Sequence, residues 1–196
     1  MRITITAFDP FGGFNSNSSY KALTKLSNKD ITKIVLPVSY PDAYCVLKES
    51  ITECDFIILL GMAAKRTKVS IEERAKNILE FKIPDNHGQI IKNQIIDENE
   101  PEFLYSRVEI DKIIKYLNKD DELVYKSSDA GTYICNYLYF KVLQVFNTPS
   151  IFIHLPNYET DEEFDKLDIL LNKLINYIMV CYLIQMIQYQ RIQHIN

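Results

Sequence analysis

The sequence predicts an α/β fold, a three-layer sandwich in which helices cover both faces of a mostly parallel central sheet. Short apolar runs typical of buried strands alternate with helical patterns of about ten or more residues. The run at residues 56–60 is continuously apolar, as expected for a strand that is covered on both faces. The chain of 196 residues has no internal repeat and no linker, so we expect one domain over residues 1–196.

Composition excludes several classes of protein. Hydrophobic residues make up 47% of the chain and charged residues 24%, values that are ordinary for a folded domain and unlike those of disordered proteins. The net charge is −4 and no basic block occurs, which argues against a nucleic-acid partner. The apolar stretch at 177–184 is far shorter than the roughly 20 residues of a membrane span. We therefore expect a carboxy-terminal helix packed on the domain and no membrane partner.

Cysteine usage points to a reducing compartment. The four cysteines, at positions 45, 54, 135 and 181, form no CxxC pair and no cluster with histidine. This pattern argues against a zinc site. The first residues lack the long apolar region of a signal peptide. The expectation is a reduced, cytoplasmic protein.

The first half of the chain contains alternating strand and helix signals. Asn17 or Ser18 can cap a helix that runs to about Leu26, and Pro41 can begin a second helix that ends near Ile51. Strands are predicted at residues 2–8, 34–38 and 56–60.

The second half is less regular at first. Residues 70–81 alternate in a way that predicts strands, which could pair as a hairpin, and residues 84–88 form a strong turn. The remaining signals predict a loop at 90–99, helices at 103–117, 130–146 and 161–193, and strands at 123–126 and 151–155.

A cysteine and a histidine stand at two element boundaries. Ser127, Ser128 and Asp129 are good N-cap residues, which places Cys135 in the first turns of a helix, where the macrodipole favours a thiolate and lowers the thiol pKa below about 8.5. His154 lies in the strand predicted at 151–155, near its end. Such a pair can form a thiol–imidazole nucleophile. Taken singly, each residue is more often a buried core residue, and that interpretation stays open.

Four loops follow predicted strands, at residues 8–14, 61–66, 127–135 and 154–158. In α/β folds, binding sites gather at the carboxyl ends of the strands. We therefore expect these four loops to face one cleft. His87 is expected in an exposed turn, and His194 is expected to have no role in the site.

Six motifs resemble those of the type I pyroglutamyl peptidases, also called pyrrolidone-carboxylate peptidases, and they occur in the family's order. They are FDPFGG at 8–13, NSSYKA at 17–22, LPV at 36–38, IPDNHG at 83–88, DAGTYICN at 129–136 and FIHLP at 152–156. The resemblance extends over about four-fifths of the chain. It implies a cysteine exopeptidase that removes an N-terminal pyroglutamate from peptides through a thioester acyl-enzyme, with neither metal nor cofactor.

The resemblance also implies roles for particular residues. Cys135 is the implied nucleophile and His154 the implied general base. The implied binding residues for the lactam ring are Phe8, Phe11 and Asn17, since a flat neutral ring suits an aromatic slot. Members of the family are often oligomers, so a homo-oligomer is possible here.

The carboxylate that completes the implied triad is either Glu72 or Glu73. The flanking residues, Gly61, Arg66, Ala75 and Asn77, fall in register with the family motif without a gap, and this register places the acid at Glu72. Neighbouring side chains of an extended segment face opposite ways, so only one of the two can reach the cleft. We predict that it is Glu72. The alternative interpretation, that Glu72 and Glu73 are both surface charges, stays open.

The loop at 61–66 departs from the family pattern. Met62 stands where glutamine is usual, Ala64 and Lys65 replace two glycines, and Glu73 replaces a basic residue. If those glycines needed a positive φ, their replacements would each cost about 1–2 kcal/mol. These departures favour an alternative function, a non-catalytic relative that binds a small amide or peptide. An unrelated α/β ligand-binding protein is a second alternative, although no GxGxxG or Walker pattern occurs.

Overall fold

The computed structural model describes residues 1–28 and 31–193. Its strands are β1 (Ile3–Phe8), β2 (Ile31–Leu36), β3 (Phe56–Met62), β4 (Val69–Glu72), β5 (Arg74–Lys76), β6 (Phe103–Tyr105), β7 (Val124–Ser127) and β8 (Ser150–Leu155). Its helices are α1 (Ser18–Lys25), α2 (Asp42–Ser50), α3 (Ile110–Leu117), α4 (Ile134–Val145) and α5 (Asp161–Gln193).

A six-stranded sheet in the order β2-β1-β3-β8-β4-β7 forms the middle layer. One apolar cluster joins one face of this sheet to α1, α3 and α5, and a second cluster joins the opposite face to α2 and α4. Residues 56–62 of β3 are all buried, which explains their continuously apolar sequence. The predicted α/β sandwich is confirmed, with a mixed and mostly parallel sheet.

Strand register brings the motif residues together. Gly61 of β3 pairs with His154 of the parallel strand β8. On the other side of β8, the antiparallel strand β4 places Ser70 opposite His154 and Glu72 opposite Phe152. Side chains of residues two apart on a strand share a face. Glu72 and His154 therefore project from the same face of the sheet, the one covered by α2 and α4.

The four strand-end loops, which the sequence led us to expect around one cleft, do not all leave the same edge of the sheet. Strands β4 and β7 are parallel to each other but antiparallel to the other four strands. Ser127, the last residue of β7, pairs with Glu72 and so lies near the level of Phe152 rather than at the far edge. Residues 128–133 then carry the chain to α4.

The strands predicted at 70–81 are present as β4 and β5, but the hairpin that they could form is absent among the described residues and the predicted start of the helix at 103–117 is wrong. Strands β4 and β5 do not form a hairpin, because β4 joins the central sheet while β5 pairs with β6 in a separate two-stranded sheet. The helix predicted at 103–117 begins only at Ile110. Residues 103–105 form β6 instead, and the Arg74 guanidinium lies 4.0 Å from the Phe103 ring centroid. Tertiary pairing overrides the local helical pattern here.

Helix α4 begins four residues later than predicted. Ser127 and Asp129 do not cap it, because their side chains bind their own loop: the Ser127 hydroxyl accepts from the Asp129 amide at 3.2 Å, and Asp129 Oδ1 accepts from Gly131 N–H at 3.2 Å. Gly131 then takes a φ of +81°. Short polar side chains compete in this way with helix capping. The first helical residue is Ile134, so Cys135 lies even closer to the N-terminus than expected.

The first and last helices follow the prediction closely. Asn17 caps α1, its Oδ1 accepting from the Ser19 amide at 3.0 Å. Helix α5 spans Asp161–Gln193 and packs its first half on the core. Its 161–188 segment is long and apolar enough to cross a membrane by length and composition alone, which is weak evidence because core helices of soluble proteins pass the same test. His194 lies outside the described residues.

Candidate active site

The thiol of Cys135 lies directly over β3, at the glycine that pairs with His154. A Cβ atom added to Gly61 would come within 2.9 Å of the Cys135 Sγ and within 2.8 Å of the Phe152 ring. Real Cβ atoms do not approach other atoms so closely, so this position needs glycine. Helix α4 therefore sets the thiol above the strand pair β3–β8, with His154 on the neighbouring strand.

A buried imidazole–carboxylate pair stands next to this thiol. His154 Nδ1 lies 2.8 Å from Glu72 Oε1, and both side chains are at most 5% exposed. Since Nδ1 faces Glu72, the opposite ring nitrogen, Nε2, is left for the thiol or a substrate. Glu73 points elsewhere, with its carboxylate 3.8 Å from Lys126 Nζ. Of the two candidate carboxylates, the structure brings Glu72 to His154.

Arg66 holds the same carboxylate from the other side. Its Nη1 donates to Glu72 Oε1 at 2.5 Å and also to the Ser70 hydroxyl. Its Nη2 donates to the Asp129 carbonyl oxygen at 2.7 Å and to the Ser127 hydroxyl at 3.3 Å. One guanidinium thus links the β3–β4 loop, β4 and the loop that leads to Cys135.

Burial and charge set the ionisation of the pair. Burial acts to raise the pKa of the Glu72 carboxyl, but the hydrogen bond from His154, followed by the nearby Ser127 hydroxyl and the charge of Arg66, holds that pKa below its ordinary value. Burial lowers the pKa of His154; Glu72 opposes this shift and Arg66 adds to it. Near neutral pH the pair is therefore an ionised carboxylate beside a neutral imidazole.

The predicted lowering of the Cys135 pKa is wrong. Burial, followed by the negative charge of Glu72, raises the pKa of the thiol to about 12, and the opposing effect of Arg66 is smaller. The position at the start of α4 was read correctly, but desolvation outweighs the helix dipole. The resting thiol is therefore protonated at neutral pH, and a thiolate requires a base that takes the proton.

Asn136 fixes the start of α4 against β5. Its side-chain Nδ2 donates to the carbonyl oxygens of Lys76 and Ile78 at 2.9 and 3.0 Å, and its Oδ1 accepts from the Lys76 amide at 2.8 Å. One turn further on, the buried Tyr139 hydroxyl donates to the Glu72 carbonyl oxygen at 2.9 Å. These bonds set the height of Cys135 over the sheet and tie the helix to the strand that carries Glu72.

A closed aromatic slot adjoins the thiol. Its cavity volume is about 10 Å³, which is barely one water-sized space. The predicted binding residues, Phe8, Phe11 and Asn17, are all in its wall, together with Val38, Met62, Tyr133, Ile134 and Cys135.

Hydrogen bonds from other motifs position this slot. Asp9 Oδ1 accepts from the Val38 amide at 2.9 Å, and Asn86 Nδ2 donates to the Pro10 carbonyl oxygen at 3.0 Å. The Asn17 side chain is already engaged, since its Nδ2 donates to the Asp9 carbonyl oxygen at 2.9 Å in addition to capping α1. The turn motif at 83–88 thus braces the loop that carries Phe11.

The replaced glycines of the 61–66 loop carry no backbone strain. Among the described residues, Asn93 is the only non-glycine with a positive φ. Ala64 and Lys65 therefore adopt ordinary backbone angles, and the cost of about 1–2 kcal/mol considered from the sequence does not arise. Met62 is buried and is among the residues that line the slot.

Three residues of the site were missed at the level of sequence: Arg66, Tyr133 and Asn136. Asn136 and Tyr133 flank the cysteine inside the quoted motif, so their proximity was a usable signal. From the sequence, Arg66 only marks the register that selects Glu72. Its bonds reach 61 and 63 residues along the chain, a distance that no local pattern encodes.

Comparison with known proteins places this geometry in a family. The sequence profile of pyroglutamyl peptidases matches residues 1–169. The chain belongs to the pyroglutamyl peptidase family. It is 33% identical over 167 residues to pyrrolidone-carboxylate peptidase 1 of Caldanaerobacter subterraneus subsp. tengcongensis, covering 80% of this chain and 82% of that protein. It is also 33% identical over 179 residues to the pyrrolidone-carboxylate peptidase of Pyrococcus furiosus, covering 85% and 86%.

Solved structures agree with this assignment. Pyroglutamyl peptidase I from Bacillus amyloliquefaciens superposes with a TM-score of 0.80 at 27% identity, over 88% of this chain and 92% of that one. The pyrrolidone carboxyl peptidase of Fervidobacterium islandicum AW-1 gives 0.78 at 31% identity, over 91% and 96%. Family and relatives together identify this pyroglutamyl peptidase family member as a peptidase of the cysteine type.

Proposed function

We propose that the protein hydrolyses the amide bond that follows an N-terminal pyroglutamate in peptides, with Cys135, His154 and Glu72 as the catalytic triad. The observation that carries the proposal is the buried His154–Glu72 hydrogen bond of 2.8 Å. His154 lies on β8, the strand that pairs with β3 below the thiol. A carboxylate that binds one imidazole nitrogen fixes the other nitrogen as the acceptor for a nucleophile's proton.

In the acylation step, the Cys135 Sγ attacks the carbonyl carbon of the pyroglutamyl residue while its proton passes to His154 Nε2. The oxyanion that forms is stabilised by hydrogen bonds from backbone N–H groups at the start of α4, which lack intrahelical acceptors. The C–N bond then breaks, and the imidazolium gives its proton to the leaving amine. A thioester and a peptide shortened by one residue result.

Water completes the cycle in the deacylation step. His154 takes a proton from a water molecule as its oxygen attacks the thioester carbon. The C–S bond then breaks, the imidazolium returns the proton to the thiolate, and free pyroglutamate leaves. The raised pKa of Cys135 keeps its thiol protonated at rest, so the thiolate forms only when the proton passes to His154.

Recognition of the lactam ring falls to the aromatic slot. We infer that Phe8, Phe11 and Asn17 line the bound ring, which is flat and neutral and suits aromatic walls. A volume of about 10 Å³ cannot hold a five-membered ring. We infer that the Phe11 and Tyr133 rings, whose centroids are 6.0 Å apart, separate when the ring binds. This step is a local induced fit.

Hydrolysis of a pyroglutamyl fluorogenic amide tests the proposal. The expected result is release of the fluorophore and of free pyroglutamate, with loss of both after treatment with a thiol-alkylating reagent. A matched prolyl amide should not be cleaved, since its ring nitrogen is a protonated amine rather than a lactam. No release from the pyroglutamyl substrate by the folded protein would refute the proposed activity.

One observation favours a second candidate function, a non-catalytic relative that binds a small amide or peptide. The slot is nearly closed, and Met62 is in its wall where the family usually has glutamine. The two candidates differ in the fate of the substrate. Binding of a pyroglutamyl peptide, measured by calorimetry, without release of pyroglutamate over many hours would favour the binding protein.

We also infer that the protein forms a homodimer through the outer half of α5. Residues 174–190 hold no charged side chain. Val180, Leu183, Ile184 and Ile187 are each about half exposed and recur at the spacing of a helix-pairing stripe. A second copy presents the same uncharged stripe, so the contact carries no charge repulsion.

Light scattering after size exclusion tests the dimer. Leu183→Glu should convert it to a monomer, while Ile90→Glu, at a similarly exposed apolar residue in a loop, should leave it dimeric. A monomeric wild-type protein would contradict the inference.

We infer that the protein is cytoplasmic, because its four cysteines, all among the described residues, form no disulfide bond.

A further inference from the structure

One partly buried guanidinium stands behind the imidazole–carboxylate pair. The Arg66 side chain is only 19% exposed and donates to Glu72 Oε1 at 2.5 Å. Its second nitrogen donates to the Asp129 carbonyl oxygen at 2.7 Å, six residues before Cys135. Arg66 is thus bound both to the carboxylate and to the segment that delivers the nucleophile.

The carboxylate depends on this contact. Glu72 Oε1 accepts from His154 Nδ1 and from Arg66 Nη1, so one oxygen serves both partners. Within residues 1–28 and 31–193, no hydrogen bond to Glu72 Oε2 is found. A fully buried carboxylate with few donors is costly to ionise. Among the described residues, Arg66 provides the one permanent positive charge within ion-pair distance of it.

We propose that Arg66 is a positioning residue that keeps Glu72 ionised and His154 a neutral base, and that it does so by its charge rather than by holding the loop. The proposal rests on the proposed function for its kinetic consequence. Its electrostatic part concerns only the His154–Glu72 pair and can be measured without turnover.

The charges around His154 determine whether its pKa rises or falls when the Arg66 charge is lost. Glu72 faces it from β4, Arg66 from the β3–β4 loop, Asp129 from the loop before α4, and Cys135 from α4. Asp129 and Glu72 raise the pKa of His154, whereas burial and Arg66 lower it.

Loss of the Arg66 charge removes a repulsion that opposes imidazolium. The apparent pKa of the pair, which takes up one proton as a unit, must therefore rise. At any pH near this raised pKa, a smaller fraction of His154 is then neutral and able to act as a base. Activity at acidic pH would be lost first.

Arg74 is a matched control. It also holds the loop before α4, its Nε donating to the Ser128 carbonyl oxygen at 2.9 Å, one residue from the carbonyl that Arg66 binds. It stacks on Phe103, and in the part of the chain that the structure describes no hydrogen bond or ion pair joins it to Glu72. Arg74→Met therefore removes a cation that fixes the loop, while Arg66→Met removes one that fixes the loop and touches the carboxylate.

The direct test follows the imidazole proton of His154 by NMR as pH is varied, which is practical because the chain has three histidines. Arg66→Met should raise the His154 pKa by about one unit, the lower end of the effect of a nearby charge. Arg74→Met and Arg66→Lys should leave it within a few tenths of the wild-type value. Equal shifts in Arg66→Met and Arg74→Met, or none in either, would overturn the proposal.

The kinetic test uses the pH profile of kcat/KM for a pyroglutamyl amide. The acidic limb should move to higher pH by the same amount in Arg66→Met and stay in place in Arg66→Lys and Arg74→Met. If Arg66→Met does not fold, Arg66→Gln carries the same expectation, because its amide still donates to Glu72 without a charge. A wild-type protein without hydrolysis would refute the proposed function, yet the NMR titration would still decide the role of Arg66.

Discussion

The two halves of the candidate site are built in opposite ways. The proposed catalytic corner, formed by Cys135, His154 and Glu72, has two of its three residues on strands: His154 and Glu72 are fixed by register, buried and hydrogen-bonded to each other. Half of the residues that line the aromatic slot lie outside helices and strands, and its small cavity adjoins the rings of Phe11 and Tyr133. In the proposed function, the chemistry is therefore preorganised and the recognition is not. Changes in the corner should act on kcat, and changes in the slot on KM.

The largest effect is expected from Cys135→Ser. A serine hydroxyl is a weaker nucleophile than a thiol, so hydrolysis should fall by about four orders of magnitude or more while the fold is kept. The measurement is kcat/KM on a pyroglutamyl amide together with a thermal melt.

Cys54→Ser is the control for this change, since Cys54 is also partly buried but lies outside the site. It should keep near-wild-type activity. Substantial residual activity in Cys135→Ser would mean that the corner does not hold the nucleophile.

Gly61→Ala should displace the thiol without removing it. The added methyl group would meet Cys135 Sγ at 2.9 Å and the Phe152 ring at 2.8 Å. A shift of about 1 Å in a reacting group can cost about a hundredfold in rate. We expect a loss of that size in kcat at little changed KM, measured beside the melting temperature. A loss confined to KM would place the thiol outside the corner.

Glu72→Gln should lower kcat by about tenfold or more, because the amide cannot stabilise the imidazolium that forms during acylation. Glu73→Gln is the matched control, one residue away and paired with Lys126 on the surface. It should be nearly silent. Steady-state kinetics on both variants decides the question, and the reverse pattern would assign the orienting acid to Glu73.

The smallest effect is expected in the slot. Phe11→Ala should raise KM about tenfold with little change in kcat, since burying an aromatic ring is worth about 1.5–3 kcal/mol and only part of that is lost. Phe14→Ala removes the neighbouring ring, which is 41% exposed and outside the slot. It should leave KM unchanged. If Phe11→Ala instead unfolds the protein, Phe11 is a core residue and the contrast between corner and slot fails.

The sequence alone determined the elements whose signals are local. Continuous apolar runs marked β3 and β8, because a strand buried on both faces has no polar position. The last helix was predicted with the bounds found, and the glycines and polar turns marked the loops of the site. The order of the motifs identified the family, and register with that family selected Glu72 over Glu73.

Tertiary structure decided what depends on partners distant in sequence. The direction of β4 and β7, the pairing of β5 with β6 and the late start of α4 follow from contacts that a local window does not contain. The raised pKa of Cys135 has the same origin. A helix terminus can be read from the sequence, but desolvation is the sum of everything packed around the thiol, and here that sum outweighs the dipole.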